Sequence, residues 1–291
     1  MTRLLIVIGL LLAFPGPSVG VRAEDIPLVA AASNLSHALD EIVAAYQAET
    51  HAQVRVSFGS SGNFTRQILQ GAPFNLFLSA DKKYLDMLRA EDHQVVASSI
   101  LARGRIGFFI PRGSGLSELD MQGIQQALQH GQYRRIALAN PDFAPYGVAA
   151  MQALQSAGVW VLEQNKLLLG ESAAQTMQFS LSGGVDLGVI PSSYAGLPEI
   201  ALKGEFLLIP ETWHQPLLQY RVLLTDTAAA RRFYEYLRSP TALGIMKAHG
   251  YETETEDAAE TGQASSLSSE TPNKLTRAQR QVTSEPVITD Q

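Results

Sequence analysis

A chain of 291 residues with a formal charge of −6 and no cysteine excludes several functions before any motif is read. Without cysteine there is no thiol nucleophile, no Cys-ligated zinc and no iron–sulfur cluster. The acidic balance, with no Lys/Arg cluster to neutralise a phosphate backbone, argues against nucleic acid as a partner. A small anion stays open, because it answers to local donors more than to net charge.

Arg3, the apolar run from Leu4 to Phe14 and the small-x-small site Val21-Arg22-Ala23 have the pattern of an export signal. The run is too short to span a bilayer and is broken by Pro15-Gly16-Pro17, so residues 1–23 are read as a cleaved signal peptide of a periplasmic protein. Apolar strands and amphipathic helices then alternate. Strands are expected at Pro27 to Ala32, Val54 to Phe58, Leu76 to Leu78 and Ile106 to Ile110, with helices around Leu35–Tyr46, Phe64–Leu69 and Tyr84–Leu88. The pattern continues with a helix at Ile124–Leu128, a strand at Ile136 to Ala139, and helices at Val148–Leu154 and Ala173–Leu181. Strands at Leu187 to Ile190, Phe206 to Ile209 and Leu217 to Leu224 precede helices at Phe233–Leu237 and Leu243–Met246. This rhythm specifies an α/β fold with largely parallel sheets covered by helices. After Tyr251 the composition turns to Glu, Thr, Ser and Gln with no aromatic residue, and residues 252–291 are expected to be a disordered tail.

Parallel α/β sheets bind ligands at the carboxyl ends of their strands, so the strand-to-helix turns are the place to look. The first is Ala32-Ser33-Asn34, where hydroxyl and carboxamide groups stand at a helix start. The second is Gly59-Ser60-Ser61-Gly62, whose glycines free the backbone to aim its N–H groups outward. The third runs from Asn140 through Pro145-Tyr146-Gly147, and the fourth is Glu171-Ser172-Ala173-Ala174. Any one of these reads equally well as ordinary helix capping. Together they offer an oxyanion a set of neutral donors, each charge-assisted hydrogen bond contributing about 1.5–3 kcal/mol.

Six stretches, in order, carry a family resemblance: VAAASNLSHAL (29–39), SFGSSG (57–62), QGAPFNLFLSAD (70–81), ALANPDFAPYGVAAMQAL (137–154), AQTMQFSLSGGVDLGVI (174–190) and FYEYLRSPTALGIMKAHGY (233–251). The chain thereby resembles the periplasmic molybdate-binding proteins of ABC transporters. The run Ala174-Gln175-Thr176-Met177-Gln178-Phe179 is similar to the branch typified by free-living nitrogen fixers. The resemblance implies the two-lobed, hinged type II periplasmic-binding-protein fold, with mixed sheets flanked by helices and the anion between the lobes. Lobe one would hold residues 24–103 and 220–251 and lobe two residues 104–219, with crossings near Gly104 and Tyr220. It further implies oxyanion ligands at Ser33, Asn34, Ser61 and Tyr146, and a backbone N–H at Ala173. Many members carry a ligand tyrosine directly after the strand Gly188-Val189-Ile190, but here Pro191 follows and Tyr194 comes three residues later, so Tyr146 would supply that hydroxyl. The ligand would be molybdate or tungstate, with sulfate or another oxyanion as the alternative. No cofactor and no direct metal ligand are expected; the expected partner is the membrane permease of an ABC importer, and the protein is expected to act as a monomer.

An enzyme is the rival from another class. Gly59-Ser60-Ser61-Gly62 lacks the Gly-x-Ser-x-Gly spacing of a hydrolase elbow, so a serine hydrolase is disfavoured. The histidines at 37, 51, 93, 130, 214 and 249 show no metal-binding pairing, and His37 reads as a solvent-facing helix residue.

Overall fold

In a computed structural model, which describes residues 26–159 and 164–253, the chain builds two five-stranded sheets. The expected signal peptide, and the expected tail apart from Glu252 and Thr253, lie outside the described residues. The first sheet begins with β1 (Leu28–Ala32), α1 (Ser36–Thr50), β2 (Arg55–Gly59), α2 (Ser61–Leu69), β3 (Leu76–Ser79), α3 (Lys82–Ala90) and β4 (Ala97–Gly104). The chain crosses once and continues as β5 (Ile106–Pro111), α4 (Met121–Gln129), β6 (Ile136–Ala139), α5 (Pro145–Ser156) and β7 (Leu167–Gly170). The second sheet is completed by α6 (Ala173–Leu181), β8 (Leu187–Pro191), α7 (Pro198–Lys203) and β9 (Gly204–Leu208). A second crossing returns it as β10 (Leu217–Leu223), α8 (Ala228–Tyr236) and α9 (Pro240–Ala248).

The strand orders are β2-β1-β3-β10-β4 and β7-β6-β8-β5-β9. Strands β1, β2 and β3 pair in parallel, as do β6, β7 and β8, because a helix returns the chain between them. Strands β5 and β10 instead enter directly from the other sheet, and every pairing they make is antiparallel. The sheets are therefore mixed, as the family resemblance implied, and not largely parallel as the strand–helix rhythm alone suggested. β1 is buried on both faces and reads as a continuous small apolar run, as a central parallel strand should. Side chains of Ser60, Asp81, Ser172 and Ser239 accept first-turn amides of α2, α3, α6 and α9, which is why those helices start where they do. Among the described residues no helix is long and apolar enough to cross a membrane.

Three elements have no counterpart in the sequence reading. β4 opens on Ala97-Ser98-Ser99, without apolar alternation, and is held by its pairing to β10. β7 is a short edge strand, and α7 has six residues. β4 ends at Gly104, β10 starts at Leu217, and those two residues face each other.

The end of the fold needs correcting too. Glu252 N donates to Arg103 O at 3.0 Å, Glu252 O accepts from Arg103 N at 2.7 Å, and its carboxylate lies 3.4 Å from Arg105. Composition missed this because a backbone amide pairs with a sheet edge whatever side chain it carries. A chain ending at Tyr251 should therefore be less stable than one ending at Thr253, by about 1–3 kcal/mol for the lost backbone bonds. Denaturant melts of the two truncations check this, and coincident curves would contradict the bridge.

Candidate functional site

The turns after β1, β2, β3 and β6, and the start of α6 after β7, meet between the two sheets. They line a small, partly open cavity, bounded by Ala32, Ser33 and Asn34, Gly59, Ser60 and Ser61, Ala80, Ala144, Pro145 and Tyr146, and Ala173, with a volume of about 10 Å³ for the centre of a water-sized sphere. All five residues expected in the site line this one cavity. It is smaller than the roughly 300–1,000 Å³ of pockets for drug-sized ligands, and no charged side chain lines it. Among the described residues no group of three His, Asp or Glu could hold a metal ion.

The hydroxyls are held in a common way. Ser33 Oγ accepts the Ala174 amide at 3.2 Å, Ser61 Oγ accepts the Ala80 amide at 3.0 Å, and Tyr146 Oη accepts Asn34 Nδ2 at 3.2 Å. Ser60, not singled out from the sequence, also lines the cavity, and its Oγ accepts the Asn63 amide at 3.3 Å. An oxygen that receives an N–H in this way keeps its own proton for another acceptor.

Backbone donors join them. The first-turn amides of Ser61 in α2, Tyr146 in α5 and Ala173 in α6 have no partner among the described residues. Helix starts carry such orphan N–H groups and partial positive charge, which makes them anion sites when several converge. Pro145 at the first position of α5 has no N–H, so Tyr146 carries the first free one there. Gly147 lets α5 start against β6, since a Cβ would lie 2.1 Å from Ala139 O.

Asn34 lines the cavity, and its side chain is turned to partners within the protein. Its Nδ2 faces three acceptors, Gln219 Oε1 at 2.8 Å, Tyr251 Oη at 2.9 Å and Tyr146 Oη at 3.2 Å, so its two hydrogens are shared among them and both are spent within the protein. Tyr251 Oη and Ser193 Oγ both donate to Asn34 O, at 2.6 and 2.9 Å. Tyr194 does not line the cavity; it is fully buried and donates to Ser33 O at 2.6 Å, fixing the turn from behind. His37 is half-buried with its ring edge-on to Tyr194 at 5.5 Å, not solvent-facing as expected. Gln219 and Ser193 lie outside the stretches that carry the resemblance and Tyr251 only closes the last of them, so no sequence signal joined them to Asn34.

Bonds also join the two sides of the cavity. Besides Ala174 to Ser33 and Tyr194 to Ser33, Phe143 O accepts Gly62 N at 2.9 Å and Tyr84 Oη at 3.1 Å.

Residues 27–252 match the family described as bacterial extracellular solute-binding protein. The molybdate-binding protein ModA of Azotobacter vinelandii is 32% identical over 226 residues, 77% of this chain and 88% of that protein. ModA of Rhodobacter capsulatus is also 32% identical, over 78% of this chain and 88% of that one. Among solved structures, the Azotobacter vinelandii periplasmic molybdate-binding protein superposes with a TM-score of 0.71 at 29% identity, covering 79% of this chain and all of that one.

The hydroxyl protons around the cavity are secure. Burial pushes the Tyr251 hydroxyl up to about 12, and burial likewise raises Tyr146 and Tyr194 above the usual tyrosine value. In the unfolded chain these groups ionise near pH 10. Above that pH the folded state holds more protons than the unfolded one, so stability falls as pH rises; below it these groups contribute no slope. Thermal melts should show no tyrosine-linked change from about pH 6 to 9 and a steep loss above about pH 10. A melting temperature that holds steady to pH 12 would contradict the burial of these hydroxyls.

Proposed function

Because the chain belongs to the family of bacterial extracellular solute-binding proteins, we propose that it captures molybdate or tungstate in the periplasm and delivers it to the permease of an ABC importer. One observation carries the choice of an anion: Ser33, Ser61 and Tyr146 each accept a protein N–H and keep a proton for a cavity with no charged wall. The relatives named molybdate-binding proteins, similar over most of their length, support the choice of anion.

The chemistry is recognition alone, with no cofactor. A fully deprotonated tetrahedral dianion is all acceptor, and Ser33, Ser61, Tyr146 and the Ala173 amide offer donors only. Phosphate at neutral pH brings a proton of its own and sets donor against donor. Sulfate is smaller, so donors spaced for molybdate are left partly unpaired around it, at about 1–3 kcal/mol for each buried one. Neutral donors also permit release, because no formal charge has to be separated from the anion.

The site draws its donors from both sheets, so the anion favours the closed arrangement in which all of them reach it. In this reading residues 24–103 and 220–251 form one lobe and 104–219 the other, rotating about the two crossings. Small-angle scattering should report a smaller radius of gyration on adding molybdate; an unchanged profile at saturation would argue against hinge closure.

Calorimetric titration of the mature protein against molybdate, tungstate, sulfate and phosphate tests the reading directly. Molybdate and tungstate should bind tightly, and sulfate and phosphate weakly or not at all. Ser61→Ala and Tyr146→Phe should each weaken molybdate binding by about 10- to 100-fold, at about 1.4 kcal/mol per tenfold. A parent protein that binds none of the four anions would overturn the proposal.

A further inference from the structure

Of the two strands that join the sheets, β4 lies against Tyr146 and β10 is linked to it through Asn34. On β4, Gly104 leaves the space that the tyrosine hydroxyl fills: a Cβ there would lie 2.1 Å from Tyr146 Oη and 3.3 Å from Gln219 Nε2. Gly104 has no positive φ, so space and not backbone conformation demands glycine. On β10, Gln219 is fully buried at the point where the pairing with β4 shifts register, between Gln219 and Tyr220. Such bulges re-aim side chains.

The hydrogen bonds of Gln219 run in one direction. Its Nε2 donates to Leu217 O at 3.0 Å, which leaves Oε1 to accept Asn34 Nδ2 at 2.8 Å. That bond orients the Asn34 carboxamide so that it presents N–H, not C=O, to Tyr146 Oη. Tyr251, the next hydroxyl, has committed its own proton to Asn34 O. The Tyr251 and Tyr194 protons go to backbone carbonyls, of Asn34 and Ser33, whereas that of Tyr146 is given to no backbone carbonyl. Were the Asn34 carboxamide reversed, its oxygen would capture this proton.

We propose that Gly104 and Gln219 are positioning residues for the anion site, seating the Tyr146 ring and turning its hydroxyl proton toward the cavity. This rests on the oxyanion reading of the cavity and deepens it. Neither residue touches the ligand. They tie Tyr146 to both crossings between the sheets, so the donor is in place only when the crossing strands are paired.

The test is a double-mutant cycle read by molybdate titration of the full chain. Gln219→Leu should weaken binding roughly tenfold or more in the parent, but by no more than about twofold in a Tyr146→Phe background, the scatter expected of independent sites. Equal losses in both backgrounds would mean that Gln219 is only structural, and would overturn its positioning role. Should Gln219→Leu not fold, Gly104→Ala reads the same geometry: a loss of roughly tenfold or more in the parent, and little further loss in Tyr146→Ala, where the space is open. Gly104→Ala binding like the parent would overturn the seating of Tyr146. A parent that binds molybdate without either coupling leaves the anion site standing and removes this proposal; a parent that binds no oxyanion removes both.

Discussion

A hydroxyl group has one proton, and where it points depends on what the oxygen already accepts. Around the cavity this constraint is used repeatedly. An amide N–H reaches Ser33 from Ala174, Ser61 from Ala80 and Ser60 from Asn63, and the Asn34 carboxamide reaches Tyr146. Each bond orients a hydroxyl that would otherwise rotate freely, so the entropy of fixing it is lost on folding and not again on binding. The bonds from Ala174 and Asn34 also run between the sheets, so the same contacts that aim the donors close the cavity.

Aiming donors this way needs backbones in close approach. β1 ends in three alanines, and the helix starts that follow β2, β6 and β7 begin on Ser, Pro and Ala. Gly147 keeps α5 against the end of β6, and Gly104 admits the tyrosine hydroxyl beside the crossing strand. Larger side chains at these positions would hold the helix starts apart and leave their first amides facing water. Mixed topology contributes as well: β5 and β10 each enter the opposite sheet in antiparallel fashion, and at the end of β4 Gly104 lies against the Tyr146 hydroxyl.

The electrostatic character follows from the same residues. With only neutral donors, the site depends on partial charges of N–H groups and helix starts, which are strong in a small dry space and weak in water. The ring of tyrosines stays protonated because burial opposes the phenolate, so the donor set does not change across the physiological range.

Much of this was legible in the sequence. Periodicity located most of the strands and helices, four strand-to-helix turns rich in Ser, Asn, Gly and Ala marked where to look, and the family resemblance singled out Ser33, Asn34, Ser61, Tyr146 and Ala173, which share one cavity. These signals are local: a hydroxyl at a helix start and an alternating apolar run are both written within a few residues. β4 was not legible, because its polar opening is stabilised by β10 more than a hundred residues later. Nor was the commitment of Asn34 to Gln219 and Tyr251, partners 185 and 217 residues away. By itself the sequence determined the alternating α/β pattern and the chemical type of the donors. Tertiary structure alone decided which of those donors keep a free proton, because that depends on groups brought together across the two sheets.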